Sequence, residues 1–231
     1  MRNLMAAAMI VTAGWGGMAQ AGDQPVVVEF YTSQGCSSCP PADELLGQLA
    51  QRDDVIALAL HVDYWDYIGW KDSFGKAAHT KRQKGYAKAA GERTIYTPQL
   101  IVGGKDHVVG FRPMELADLI QKHRAAPDRV VMTVVRTGDR LSIKAKVANG
   151  PVHRMVVQLA RFSPKETVAI ERGENAGHTF TYHNVVRDWA TVGEWDGMAP
   201  LSLSVPAPDG PAAVIIQEAG YGPVVAAARL K

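Results

Sequence analysis

The chain has 231 residues, 47% apolar and 21% charged, with a formal net charge of +2 that falls to +1 without Arg2. These proportions suit a globular protein and exclude a disordered one. The near-neutral balance gives no ground for a nucleic-acid partner or a strongly charged one.

Arg2 precedes an uncharged apolar stretch over residues 4–14, and Ala19-Gln20-Ala21 fits a small-x-small cleavage site. That is the pattern of a secretory signal peptide over residues 1–21. The stretch falls short of the about 20 residues that span a bilayer, and no later charge-free run reaches that length. The expectation is an exported chain, periplasmic or extracellular, with no stable membrane insertion.

Residues 26–31 form a β-branched and aromatic run, the composition of a buried strand. A turn over residues 32–35 leads into Cys36-Ser37-Ser38-Cys39. Pro40 and Pro41 then open a helix whose apolar face is Leu45, Leu46 and Leu49. Residues 55–62 are a second apolar strand. Cys36 and Cys39 are the only two cysteines. A bridge between them closes a loop too short to constrain the unfolded chain much, so the spacing favours reactive chemistry over bracing. Strand, CxxC, helix, strand is the order in which CxxC reads as a redox motif. A cysteine at a helix N-terminus faces unpaired N–H groups and the positive end of the dipole, which favour the nucleophilic thiolate. Cys36, taken to sit at an exposed turn, is expected to attack. Cys39, one helical turn on, is expected to resolve the mixed disulfide.

Residues 61–70 crowd Tyr64, Trp65, Tyr67 and Trp70 beside Asp63, Asp66 and Asp72. Two readings stand. Tyr64 and Trp65 form an aromatic wall that binds a peptide or small thiol, or the rings fill the protein's own core. Residues 73–90 mix Lys76, Lys81, Arg82, Lys84 and Lys88 with alanines, predicting a helix with a solvated basic face. Thr97-Pro98 precedes an apolar strand at 99–102 that ends in Gly103-Gly104, and proline is permitted at a strand start. A short strand near 108–111 and a helix over 113–123 follow. Residues 125–128, Ala-Ala-Pro-Asp, mark a boundary. Beyond it, seven short strands separated by turn signals predict an antiparallel immunoglobulin-like sandwich. His178 and His183, five apart in one strand, point to opposite faces and make a poor local metal pair.

Residues 25–124 resemble a thioredoxin-like domain. More closely, residues 30–41 (Phe-Tyr-Thr-Ser-Gln-Gly-Cys-Ser-Ser-Cys-Pro-Pro) and 61–66 (His-Val-Asp-Tyr-Trp-Asp) resemble a secreted family catalogued as domain of unknown function family 1223. The resemblance implies an α/β thioredoxin-like domain over residues 22–127, followed by the all-β sandwich over 128–231. It implies that Pro98 is cis and that the Thr97 backbone offers hydrogen bonds to an extended bound peptide. It also puts Glu29 near the position of thioredoxin's buried acid, where it would accept a proton from Cys39. Ser37-Ser38 replaces thioredoxin's Gly-Pro, so thioredoxin's reducing poise does not transfer. Residues 173–177, Gly-Glu-Asn-Ala-Gly, resemble a recurring stretch of the same family that has no assigned role.

The expected function is a thiol–disulfide oxidoreductase that needs no cofactor. It would act on protein or small-molecule thiols and disulfides and be recycled by a redox partner protein. Two alternatives remain open. One is a non-catalytic binding protein whose disulfide is structural. The other is a copper- or zinc-binding module in which His61 joins the two sulfurs.

Overall fold

The structure, a computed structural model, describes residues 24–151 and 153–230. The signal peptide expected over residues 1–21 lies outside the described residues.

β1 (Val26–Thr32) and β2 (Val55–His61) are buried at every position. Such uninterrupted burial belongs to parallel strands covered on both faces. The two pair in parallel, from Val26 beside Val55 to Thr32 beside His61. α1 (Pro40–Leu49) connects them and opens with the two prolines. Their fixed φ and missing N–H suit a first helical turn. A 3-10 turn at Asp66–Ile68 precedes α2 (Ala77–Ala89). β3 (Gln99–Val102) pairs antiparallel with the other side of β1, and β4 (Asp106–Val109) pairs antiparallel with β3. α3 (Pro113–Ala125) ends this half.

The second half overturns the expected fold class. Strands form near the places the sequence marks. They are β5 (Val130–Thr137), β6 (Arg140–Val147), β7 (Met155–Ala169), β8 (Thr179–Trp195), β9 (Leu201–Pro206), β10 (Ala212–Glu218) and β11 (Val224–Leu230). They do not build an immunoglobulin-like sandwich behind a thioredoxin-like domain. β7, β8, β10 and β11 instead extend the first sheet into one mixed eight-stranded sheet, ordered β11-β10-β7-β8-β2-β1-β3-β4. β5, β6 and β9 form a separate three-stranded sheet. The seam is a short parallel pairing of β8 with β2, with Val185 opposite Ala59. Without it, the apolar strand β2 would present an open edge, which is a site for aggregation. β7 and β8 run 15 and 17 residues, far beyond the short strands that turn spacing suggests. Register shifts at Val157/Gln158 and Arg161/Phe162 mark bulges along this long pair.

The alternation along β1 and β2 sorts the core. Val26, Val28, Phe30, Val55, Ala57 and Ala59 face α1 and α3, meeting Leu46, Leu116 and Ile120. Val27, Tyr31, Ile56, Leu58 and Leu60 face the other way, toward Tyr86 of α2 and Phe162 and Ile215 of the added strands. The three-stranded sheet closes a third cluster around Leu141, Ile143, Val157 and Val214. Each such side chain contributes about 1.5–3 kcal/mol on burial. α1 passes so close to β8 that a Cβ on Gly47 would stand 2.8 Å from His183 Cδ2. That contact accounts for a glycine in a helix interior despite a cost of about 1 kcal/mol relative to alanine.

α2 departs from the solvated basic helix expected over residues 73–90. Lys81, Lys84 and Lys88 are exposed, but His79, Thr80, Arg82, Gln83 and Tyr86 are buried against the sheet.

Candidate functional site

β1 ends at Thr32, and the chain turns sharply at its carboxyl end. The Gly35 N–H donates to Ser33 Oγ at 3.1 Å, and the Cys36 N–H donates to Ser33 O at 3.1 Å. Cys39 is the N-cap of α1, and its carbonyl accepts from the N–H groups of Ala42 and Asp43. Cys36 and Cys39 are joined in a disulfide. Ser38 Oγ stands 3.4 Å from Cys36 Sγ.

Ser37 and Ser38 are exposed, but Cys36 is 1% and Cys39 0% exposed. The expectation of an attacking thiol at an exposed turn is corrected accordingly: both cysteines are buried, and distant parts of the chain close on the turn that carries them. Asn175, at the tip of the β7–β8 hairpin, donates through Nδ2 to Gln34 O at 2.8 Å and to Cys36 O at 3.1 Å. Trp70 Nε1 donates to Gln34 Oε1 at 2.8 Å. A Cβ on Gly35 would lie 3.1 Å from Ile68 Cδ1 and 3.3 Å from Trp65 Cβ, so a side chain there would push the 65–68 segment back by a few tenths of an ångström.

Glu29 is not the proton acceptor of Cys39. It shares the face of β1 occupied by Val27 and Tyr31, opposite the one that packs on α1. Its carboxylate accepts from Arg82 Nε and Nη2 at 2.7 Å each, from Tyr86 Oη at 2.6 Å and from Tyr31 Oη at 3.0 Å. Burial opposes the Arg82 charge, but Glu29 with the neighbouring tyrosines more than offsets it and holds the guanidinium protonated. The strand period of two decides the matter: a residue one position off points through the sheet to the other side.

The acid on the disulfide side is Asp43. It lies one turn beyond Cys39 on α1, is buried, and accepts from Thr32 Oγ1 at 3.2 Å to each carboxylate oxygen. Burial pushes its carboxyl well above the usual range. The Thr32 hydrogen bond offsets this in part, and the Asp72 charge adds to it. Asp72 is itself buried. Burial opposes its charge, but His61 and the backbone N–H groups of Gln34 and Phe74 hold it below the usual range. Sequence reasoning missed Asp43, although its place in the first turn after CxxC was visible. Asp72, which the sequence places beside the aromatic segment without a role of its own, lies in the loop between the 3-10 turn and α2.

His61 is fully buried. Its Nδ1 lies 2.7 Å from Asp72 Oδ2, and its ring meets Phe74 and Tyr182 edge-on. Its Nε2 has no hydrogen-bond partner. Among the described residues, no group of three or more His, Cys, Asp or Glu side chains gathers as a metal site. The donor set of the copper or zinc alternative is therefore not assembled, with the two sulfurs bonded to each other and His61 oriented by Asp72.

The Thr97–Pro98 bond is cis. Gln99 pairs with Tyr31, so Pro98 stands level with Thr32, at the sheet end that carries the cysteines. Trp65 Nε1 donates to Thr97 Oγ1 at 2.7 Å, which joins two of the expected binding residues. Tyr64 Oη donates to Gln83 Oε1 at 3.2 Å, and burial, partly offset by hydrogen bonds with Gln83 and Thr97, pushes its hydroxyl up to about 12. Tyr64 and Trp65 both pack on the core, and Tyr67 stands 81% exposed and stacked on Trp65. The aromatic segment thus divides between filling the core and presenting a ring to solvent.

Fold and site together define a predominantly β protein of two sheets, with one covered disulfide at the head of a helix. The chain belongs to the family described as protein of unknown function (DUF1223), which it matches over residues 27–217. Among solved structures, the crystal structure of protein AGR_C_4864 from Agrobacterium tumefaciens is similar, with 36% sequence identity and a TM-score of 0.78. That match covers 92% of this chain and 96% of that one. No curated protein matches.

Proposed function

We propose that the protein is an exported thiol–disulfide oxidoreductase acting through Cys36 and Cys39. The observation that carries this reading is the pairing of the chain's only two cysteines at the N-terminus of α1. A Cys36 thiolate released there is stabilised by the positive end of the helix dipole, and a low-pKa thiol is a good leaving group in exchange. An incoming thiolate forms a mixed disulfide with Cys36, and the bridge's electron pair passes to Cys39. In reverse, Cys39 displaces the partner and restores the bridge. The partners are protein or small-molecule thiols and disulfides, recycled by a redox protein, and no cofactor is required. Export rests on residues 1–21.

The near-complete burial of both sulfurs favours a second reading, a structural disulfide in a non-catalytic binding protein. One experiment separates the two. The mature protein, expected to begin at Gly22, is equilibrated with glutathione beside its Cys36→Ser and Cys39→Ser variants. The expected result is a bridge reduced in the folded protein, with the Cys39→Ser variant trapping mixed disulfides through Cys36. A bridge that resists reduction until the protein unfolds, with nothing trapped, establishes the structural reading.

A further inference from the structure

We propose that Asp43 is the internal acid of the disulfide, giving its proton to Cys39 when the bridge opens and taking it back when the bridge re-forms. This rests on the exchange reading above and names the residue that makes exchange feasible at a covered site.

The placement comes from the helix. Asp43 follows Cys39 by four residues, the spacing that puts two side chains on one helix face. The Asp43 N–H donates to Cys39 O at 3.1 Å. Both residues are buried, at 7% and 0% exposure. Thr32 Oγ1, from the end of β1, bonds the carboxyl. Among the described residues no cation pairs with Asp43. A buried carboxylate with one hydroxyl and no counter-ion is costly, so the neutral acid is the resting form. The other groups of this compartment are Asp72 from the loop before α2, His61 from β2 and Tyr182 from β8, with Asp72 adding negative charge beside Asp43. His183 of β8 borders α1 lower down at Gly47. Glu44, next in α1, is exposed.

The chemistry then balances. An external thiolate attacks Cys36 Sγ, the Cys36–Cys39 bond breaks, and its electron pair goes to Cys39 Sγ. That sulfur would be a thiolate with no exposure to water. The Asp43 carboxyl protonates it, leaving a carboxylate that recovers a proton from solvent. A second external thiolate attacks the external sulfur of the mixed disulfide and expels Cys36 as a thiolate. The bridge has gained two electrons, and two external thiols have become one disulfide. In oxidation the order reverses: Asp43 gives its proton to solvent, and its carboxylate takes the Cys39 proton as Cys39 attacks.

The test is the rate of bridge reduction by dithiothreitol as a function of pH, corrected for the fraction of attacking thiolate. The wild-type corrected rate is expected to fall as pH rises through the Asp43 ionisation. Asp43→Asn is expected to lose that inflection and to react about a hundredfold more slowly below it, the usual scale for a positioned acid. Thr32→Val keeps the carboxyl but removes a bond that stabilises its charged form, so the inflection should move to higher pH. This variant keeps the test decisive where Asp43→Asn folds poorly. A bridge that exchanges with the same inflection in all three proteins overturns the role of Asp43 and leaves the exchange reading standing. A wild-type bridge that exchanges only on global unfolding overturns both.

Discussion

The two faces of the central sheet treat buried polar groups in opposite ways. On the α2 face, Arg82 sits between Glu29, Gln158, Gln217 and Tyr86, with every donor nitrogen engaged, and its guanidinium lies 3.9 Å from the Trp189 ring centroid. A cleft of ≈ 550 Å³ opens above this network, walled in part by Trp189, Tyr221 and Lys81. On the α1 face, Asp43 has one hydroxyl and His61 Nε2 has nothing. A satisfied network resists change because each member is costly to remove, whereas an under-satisfied one holds groups free to move a proton. Under the proposed function, the α2 face holds stability and the α1 face is where a proton moves.

Breaking the satisfied side should have the largest effect. Arg82→Met leaves Glu29 buried and unpaired, and a broken buried pair costs about 3–5 kcal/mol. Chemical denaturation should show that loss, with the glutathione equilibrium of the remaining folded protein unchanged. A loss below about 1 kcal/mol would mean that the network adds nothing beyond a surface ion pair.

Acid should strain the same face next. His79 on α2 is buried and donates from Nδ1 to His61 O at 2.8 Å. Burial pushes its pKa down to about 4, with Lys76, His61 and Arg82 helping, against a partial offset from that hydrogen bond. Because the folded value is below the unfolded one, the stabilisation is present above about pH 6.5 and is lost as pH falls through 4. The drop is at most about 3 kcal/mol at 1.36 kcal/mol per unit. Urea unfolding at pH 7 and pH 4 should show it in the wild type, and His79→Gln should show a correspondingly smaller drop.

The smallest effect sharpens the other side. Asn175→Ala removes two hydrogen bonds from the turn that carries Cys36, worth about 1–2 kcal/mol of local stability. Reduction by glutathione should quicken by about tenfold, since 1.4 kcal/mol is one decade. Hydrogen exchange at 171–177 should rise with it. An unchanged rate would show that the hairpin tip does not control access to the sulfurs.

Much of the molecule was legible in the residues. The apolar runs of β1 and β2, the prolines that open α1, and the turn signals around β5 to β11 are local features, and local sequence reports them. The position of the two cysteines before α1 was equally plain. Glu29 misled because a single strand shows which residues alternate but not which face meets the helix. Arg82 misled because a basic residue among lysines and alanines reads as solvated until the residues that bury it are known. Asn175 stood in a recognised stretch with no visible purpose, since its partners Gln34 and Cys36 lie 141 and 139 residues away.

The sequence by itself therefore determined where most strands and helices begin, though not that β7 and β8 run 15 and 17 residues, and that a cysteine pair heads α1, because propensity, period and turn chemistry act over a few residues. Tertiary structure alone decided that β8 joins β2, so that two expected domains share one sheet. It also decided that the sulfurs are buried and that Asp43, not Glu29, is on the face of the sheet that packs on α1. Those outcomes depend on which surfaces find each other across more than a hundred residues, and no local pattern records such a choice.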